Sequence, residues 1–400
     1  MYKPHELIFY GAYIIYLVVS VIGASLLGDS LGINADIINT MKHIVAVLIV
    51  ISILASTRFN YKSTYLITGI GLASIIVYVN MGAFNPILAV LFLFGCRKCD
   101  PKRVCKVHLY CISISLAIIF ISAIGGIVDN IKLSRGFSVF NSVRYGMGFK
   151  NATWFGYIFY LFIDYFIIKI IYKKQKIKYS EYLIVIIVAL IAFYLSKGRL
   201  ELISTFFLII VAKHGETIVK HKTLKKVLVF SFIIMLLLSF LTTYLYIVGN
   251  PFALSLNRLL NSRLKFNAIG YAKYGLSLFG NYVEMQGVSQ TTAENWWNYF
   301  YIDNFYLSYL IQYGIIWMAL TLVFLTLINA KLAKDSNKLL LFMALVALQG
   351  FIVPIMLDFI SSCTILVAYI ETGALRDKVV FKKGIKQIYI APTTVDTEDS

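Results

Sequence analysis

The sequence predicts an all-α polytopic membrane protein with about twelve transmembrane helices and a large extracytoplasmic loop. Hydrophobic residues make up 60 % of the 400-residue chain and charged residues only 14 %. The mean hydropathy is +0.80. Soluble domains are about a quarter charged and no more than half apolar. The composition therefore excludes a soluble enzyme, a disordered protein and a secreted disulfide scaffold.

Six apolar runs have the length of a single span, which needs about 20 residues to cross the hydrocarbon core. The clearest are 7–27, 107–128, 154–172, 227–248 and 306–329, with a further span at about 40–56. The net charge of +18 comes from Lys and Arg that gather in short segments between these runs. Cytoplasmic retention of one face explains this charge, so we expect no nucleic-acid partner.

Three longer apolar stretches are predicted to cross twice as hairpins: 64–95, 182–213 and 339–370. Basic residues flank both ends of each stretch, and both flanks stay cytoplasmic only if the chain returns. The turns fall near Asn85-Pro86, at Ser196–Glu201 and near Pro354. We name residues 196–201 the charged turn. Its two arms are short, so we expect this turn below the membrane surface in a protein-lined cavity.

This topology gives a transmembrane domain over 1–385 with both termini cytoplasmic and a polar tail over 386–400. The outside loops are about 129–153 and 249–305. We name the second one the large loop. The domain carries most of the 37 Lys and Arg on its cytoplasmic face. The expected location is a membrane with one face toward the cytoplasm.

Arg199 is the strongest candidate for function because it lies inside an apolar hairpin, beside Lys197 and Glu201. An arginine at the centre of a spanning helix costs on the order of 2.5–3.5 kcal/mol. Arg199 could form a structural pair with Glu201 at the interface. Alternatively, it could bind an anion in a water-filled cavity.

Two further groups of basic residues lie on the predicted outer face. Arg144 is in a glycine-rich segment, and Arg258 and Arg263 lie where Leu256, Leu259, Leu260 and Leu264 fall at helical spacing. That spacing predicts one amphipathic helix, which could also simply rest on lipid headgroups. Basic residues outside run against the positive-inside rule. A shared polyanion such as pyrophosphate would account for them.

Aromatic residues are dense in the large loop, where they suit either sugar rings or an interfacial belt. The loop's carboxylates are Glu284, Glu294 and Asp303. Asp303 is favoured as the base because it lies where the loop re-enters the membrane. Asp164 and Asp358, inside apolar runs, are expected to be buried partners of lysine or arginine. The cysteine spacing does not favour a metal site.

Three stretches resemble the bacterial Wzy-type polysaccharide polymerases, within the broader group of O-antigen polymerases and ligases. They are Arg144 with Gly146, Gly148 and Asn151; Ser196-Lys197-Gly198-Arg199; and Asp303-Asn304-Phe305 followed by Gln312-Tyr313-Gly314. Two departures exist. Asn-Ala-Thr stands at 151–153 in place of asparagine-proline-asparagine, and the large loop lacks the histidine that ligases use.

The resemblance implies a metal-independent glycosyltransferase without a cofactor. It would join oligosaccharide repeat units carried on undecaprenyl pyrophosphate into capsular or extracellular polysaccharide. Arg199, Arg144 and one of Arg258 or Arg263 would bind two pyrophosphates, and Asp303 would take the acceptor proton. Lys197 and Asn304 complete the predicted substrate contacts. Membrane lipid, a flippase and a chain-length regulator are the implied partners. The alternatives are an O-antigen-ligase-like transferase and, in a different class, a lipid-linked oligosaccharide flippase or other transporter.

Overall fold

A computed structural model describes residues 3–56, 61–134, 143–287, 299–335, 337–354 and 357–372. The predicted tail over 386–400 and Glu294 lie outside these residues. Helices dominate the described chain, with one two-stranded sheet in the first outside loop. The helices before that sheet are α1 (Pro4–Gly23), α2 (Leu26–Ser30), α3 (Ala35–Ala55), α4 (Tyr61–Met81), α5 (Asn85–Cys96) and α6 (Pro101–Ile124).

The sheet pairs β1 (Lys132–Ser134) with β2 (Val143–Tyr145) in antiparallel register. After it come α7 (Phe155–Phe166), a π-helical segment (Ile167–Tyr172), α8 (Tyr179–Ser196), α9 (Arg199–Lys220), α10 (Lys222–Val229) and α11 (Ser231–Ile247). The large loop contains α12 (Pro251–Leu259) and α13 (Arg263–Tyr274). The remaining helices are α14 (Phe305–Lys334), α15 (Leu339–Gly350) and α16 (Thr364–Thr372).

Seven of the described helices are long and apolar enough to cross a membrane, and an eighth span arises if the bent pair α10–α11 counts as one. This confirms an all-α, multi-pass membrane protein. The number twelve is not confirmed, because α5 and α15 are shorter apolar helices and the apolar part of α4 is Thr68–Met81. The breaks inside the predicted hairpins do occur in the described residues, at 82–84, at 197–198, and at 351–354 with 357–363.

The expected short arms around the charged turn are wrong. α8 has 18 residues and α9 has 22, which correspond to about 27 and 33 Å of helix. Both helices extend beyond the apolar run: α8 begins at Tyr179, and α9 continues through polar residues to Lys220. The charged turn therefore joins two full-length helices, and helix length no longer places it below the surface.

Residues 351–354 and 357–363, here named the central break, lie between α15 and α16 in the apolar run. These helices have 12 and 9 residues, about 18 and 14 Å, which is shorter than a bilayer core. Non-helical backbone inside the hydrocarbon core of a bilayer needs protein partners for its polar groups. Three side chains donate to its carbonyl oxygens: Tyr13 to Phe359 (2.9 Å), His108 to Ile360 (3.0 Å) and Asn304 to Phe351 (2.8 Å).

Asp164 is buried and Asp358 half-buried, and their hydrogen-bond partners are not the lysine or arginine we expected. Asp164 Oδ2 lies 2.5 Å from His108 Nδ1, and its Oδ1 accepts from the Cys363 thiol at 3.3 Å. The ligand atoms of Cys105, Asp164 and Cys363 lie within 4.8 Å of one another. Their hydrogen bonds, together with that of His108, connect α6 and α7 to the central break, which gives this cluster a structural role.

The single amphipathic helix predicted over 256–265 is two helices, α12 and α13. Asn261 and Ser262 between them have φ values of 53° and 66°, a left-handed conformation that asparagine tolerates better than most residues. Asn257 holds this connection, because its side-chain oxygen accepts from the Lys265 amide at 3.1 Å. Arg258 and Arg263 consequently lie on different helices.

The large loop is inserted into a break in α14. Gly314 has φ 86° and ψ 169° inside this helix. The loop backbone bonds to the carbonyl and amide groups that the break exposes, with Asn281 donating to Ile311 (3.0 Å) and Ile315 donating to Ser277 (3.0 Å). A Cβ on Gly280 would lie 2.0 Å from the Gln312 carbonyl oxygen. Glycine at 280 and 314 permits this close approach, which fixes the large loop above the first half of α14.

Candidate functional site

The charged turn is built by the end of α8 and the start of α9. Ser196 is buried, and its hydroxyl accepts from the Gly198 amide at 3.2 Å. Lys197 closes α8 in the left-handed conformation, at φ 55°, and its ammonium lies 4.5 Å from the centre of the Tyr194 ring. Lys197 and Arg199 are half-buried. The turn thus places two cations beside each other at a helix boundary.

Arg144 of β2 is held against the charged turn. Its Nε donates to the Ser196 carbonyl across 2.6 Å, and a terminal guanidinium nitrogen donates to the Ala152 carbonyl across 2.9 Å. Carbonyl groups at a helix C-terminus have no partner inside the helix and carry partial negative charge. Arg144 therefore caps α8 and fixes the first outside loop to this turn. The structure brings together these two of the three predicted basic groups.

Glu201 belongs to the same group of residues. A Cβ on Gly198 would lie 2.6 Å from a Glu201 carboxylate oxygen and 3.0 Å from the Phe155 ring. The carboxylate therefore turns back over the start of α9, where helix amides point toward a negative charge. Glycine at 198 leaves the room for this arrangement.

Arg263 and Asp303 form a second charged group, where the large loop returns to α14. Arg263 Nε lies 2.8 Å from Asp303 Oδ2, and both side chains are about one quarter exposed. The ion pair joins the start of α13 to the segment that enters α14. Arg258, in contrast, is exposed near the end of α12.

Asn304 is buried, and its amide is engaged by the protein. It donates to Ser239 Oγ (2.9 Å) and to the Phe351 carbonyl (2.8 Å), and its oxygen accepts from the Leu307 amide at the start of α14 (3.0 Å). These contacts join α11, α14 and the central break. These contacts occupy the side-chain amide of Asn304 within the protein, so its position is explained without a bound substrate.

The two charged groups stand on different elements: the charged turn joins α8 to α9, whereas the Arg263–Asp303 pair joins the start of α13 to the segment before α14. The convergence of all the basic residues in one pocket stays a prediction.

Between the large loop and α14 lies a cavity of about 360 Å³, here named the aromatic cavity. Its walls come from the large loop, the first half of α14, the start of α5 and the central break. They are Asn85, Tyr282, Val283, Glu284, Met285, Tyr301, Ser308, Tyr309, Gln312, Tyr313 and Pro354. Rings together with amide, hydroxyl and carboxylate groups are suited to a sugar, which presents apolar faces and many hydroxyls.

A second, narrow cavity, here named the floor of the aromatic cavity, shares Asn85, Tyr309 and Tyr313 with it. The floor has a volume of about 10 Å³, room for about one water molecule. Asp358 lies there, half-buried, and its Oδ1 accepts a hydrogen bond from the Tyr16 hydroxyl at 2.5 Å.

Two more polar groups border the aromatic cavity. Lys42 Nζ donates to Asn85 Oδ1 across 3.1 Å, which places a cation at the rim. Burial, and then the negative charges of Asp303 and Asp358, raise the pKa of Tyr301 to about 12. Its hydroxyl therefore stays protonated at neutral pH and can donate a hydrogen bond.

Sequence reasoning missed several of these residues. In the sequence, Asn85 is notable only as part of the Asn85-Pro86 pair, and Lys42 only as one lysine near the start of the predicted span at about 40–56. Asp358 was noticed but interpreted as a structural partner. Tyr16 lies inside an apolar helix, so no signal in the sequence could distinguish it from the other tyrosines.

The fold and the cavity together define a multi-pass, all-α membrane protein with a polar, aromatic-lined cavity under a large loop. The chain matches no protein-family model, no curated protein and no solved structure.

Proposed function

We propose that this protein is a glycosyltransferase that joins oligosaccharide repeat units carried on undecaprenyl pyrophosphate, at the outer face of the bacterial plasma membrane. The aromatic cavity is the observation that carries the proposal. It combines rings for sugar faces, amides and hydroxyls for sugar hydroxyls, and two carboxylates, Glu284 and Asp358. A cavity of this kind inside a membrane domain suits a substrate with a polar glycan and a lipid tail.

The charged turn supplies the second part of the proposal. A lipid pyrophosphate carries several negative charges at the membrane surface and binds guanidinium groups well. Arg199 and Lys197 lie half-buried at the boundary of two spanning helices, where Arg144 holds the turn in place. In this scheme Arg199 and Lys197 bind the pyrophosphate of one substrate, and Arg144 acts through the turn it caps.

The reaction is the attack of an acceptor sugar hydroxyl on the anomeric carbon of the donor. The bond from that carbon to the pyrophosphate oxygen breaks, and the pyrophosphate leaves with the electron pair. Cations near the leaving group stabilise the charge that develops on it. A carboxylate removes the hydroxyl proton of the acceptor.

A cellular experiment tests this assignment. We expect a strain that lacks the protein to display single repeat units on its outer surface and no long polymer. Re-expression of the wild-type chain should restore long polymer, whereas Arg199→Ala should reach the membrane at normal level and fail to restore it. Unchanged polymer length in the strain without the protein would refute the proposal.

Transport is a second candidate, favoured by the broken helices. Transporters place polar groups on discontinuous helices near the middle of the bilayer. Here α14 is interrupted at Gly314, and the central break separates α15 from α16. The same strain separates the two functions. Loss of a transporter would trap lipid-linked repeat units on the cytoplasmic leaflet, and surface labelling would then find none.

A further inference from the structure

The two aspartates near the aromatic cavity differ in their partners, and this difference bears on which of them can accept a proton. Asp303 is bound to the Arg263 guanidinium at 2.8 Å. Asp303 Oδ2 is therefore occupied by a charged partner and is not available to a substrate hydroxyl. Asp358 is held by a neutral donor, the Tyr16 hydroxyl, at 2.5 Å.

Position also distinguishes them. Asp358 lines the floor of the aromatic cavity together with Tyr309, Tyr313 and Trp317, whereas Asp303 lines neither the cavity nor its floor. A general base must lie within hydrogen-bond reach of the proton it removes, directly or through one water. The floor has room for about one water molecule, so a sugar hydroxyl at the base of the cavity would be within reach of Asp358.

We propose that Asp358 is the general base for the acceptor hydroxyl, with Tyr16 as its positioning residue, and that the aromatic cavity is the acceptor-sugar site. The inference rests on the proposed glycosyl transfer. The acceptor O–H bond breaks and its proton moves to Asp358 Oδ2, while the oxygen bonds to the anomeric carbon and the pyrophosphate departs. The proton then passes from Asp358 to solvent or to the released pyrophosphate, which restores the carboxylate.

Among the described residues, titratable groups of α1, α3, α7, the large loop and α14 surround Asp358, and the α5 residues that line the floor carry none. These groups are Tyr16 of α1, Lys42 of α3, Tyr157 of α7, Tyr301 of the large loop, and Tyr309 and Tyr313 of α14. Lys42 is the cation of this set. At the rim of the aromatic cavity it can also bind a phosphate of the substrate.

The experiment compares purified Asp358→Asn, Asp303→Asn and Tyr16→Phe with wild type. Asp335→Asn, on the exposed end of α14, serves as a matched control. Polymerisation of a synthetic undecaprenyl-pyrophosphate-linked repeat unit is measured from acid to alkaline pH. Binding of the free repeat oligosaccharide is measured separately by tryptophan fluorescence, because Trp317 lines the floor.

We expect Asp358→Asn to lower kcat about 100-fold or more and to leave oligosaccharide binding within about threefold of wild type. The acid limb of its rate profile should disappear. Asp303→Asn should keep the acid limb, and Tyr16→Phe should shift that limb with a smaller loss of kcat. Near-wild-type kcat in Asp358→Asn would overturn the assignment.

If Asp358→Asn does not fold, Tyr16→Phe tests the assignment of the base instead, because it removes one hydroxyl and keeps the ring. An unchanged pH profile in Tyr16→Phe would then overturn the proposal. A wild-type protein that binds the oligosaccharide but forms no polymer would refute the proposed function. A polymerising wild type with an active Asp358→Asn would refute only the assignment of the base.

Discussion

Arg263 and Asp303 form an ion pair across 2.8 Å, which links the first residue of α13 to the segment that enters α14. Both side chains are about one quarter exposed, so the pair is shielded from water more than a surface pair is. It holds the helical part of the large loop against the wall of the aromatic cavity, where Tyr301 lies two residues before Asp303.

The pair predicts rescue by charge reversal. Arg263→Asp and Asp303→Arg should each shorten the polymer, because each leaves two like charges facing each other. The double variant should recover most of the wild-type chain length, since the opposite charges meet again. Polymer length on a gel measures this. A double variant as inactive as the worse single one would show that Asp303 acts chemically and would favour Asp303 as the base.

Arg144 is predicted to act through the charged turn. Arg144→Ala removes charge-assisted hydrogen bonds to the carbonyls of Ser196 and Ala152, each worth about 1.5–3 kcal/mol. We expect a lower melting temperature in detergent and loss of long polymer. Lys132→Ala, on the exposed face of the paired strand, is the matched control and should change neither. Full thermal stability in Arg144→Ala would contradict the capping role.

Gly198 is predicted to be required for the position of Glu201. Gly198→Ala places a methyl group 2.6 Å from the Glu201 carboxylate and 3.0 Å from the Phe155 ring, so the carboxylate must leave the turn. We expect reduced polymerisation while the protein stays folded. Gly156→Ala, with nothing within 4 Å of the added methyl, is the control and should leave the rate unchanged. Equal rates in the two variants would contradict this prediction.

Asn304 is predicted to be structural. Asn304→Ala removes donors to Ser239 and Phe351 and the cap of α14, at a cost of about 2–4 kcal/mol in the free energy of unfolding. Asn304→Asp should be similarly destabilising, because a carboxylate oxygen would face the Phe351 carbonyl. Thermal aggregation in detergent provides the measurement. Asn250→Ala, which removes only the exposed cap of α12, should cost about 1 kcal/mol. A melting temperature of Asn304→Ala equal to that of Asn250→Ala would argue against this role.

The sequence was sufficient to predict an all-α, multi-pass membrane protein and the breaks inside its three long apolar stretches, because apolar length and flanking charge indicate both, but the predicted number of twelve spans is not confirmed. It could not predict the lengths of the arms around the charged turn. α9 continues beyond the apolar run into polar residues, where hydropathy does not indicate a helix. It also could not predict that Asn261 and Ser262 divide the amphipathic helix. Their left-handed conformation depends on the contacts that Asn257 makes.

The candidate site was predictable only in part. Arginines inside apolar surroundings indicated the charged turn, because charge is costly there. The aromatic cavity depends on Tyr16, Asn85 and Asp358, which are far apart in the chain and have ordinary local contexts. Only tertiary packing brings Tyr16 to Asp358, across 342 positions in sequence.

The most direct test of the account is the reaction of purified protein in nanodiscs with a synthetic undecaprenyl-pyrophosphate-linked repeat unit and no other enzyme. We predict a ladder of products one repeat unit apart, with one undecaprenyl pyrophosphate released for each bond formed. Protein that binds this substrate, releases no undecaprenyl pyrophosphate and forms no ladder at any pH would contradict the proposed glycosyl transfer.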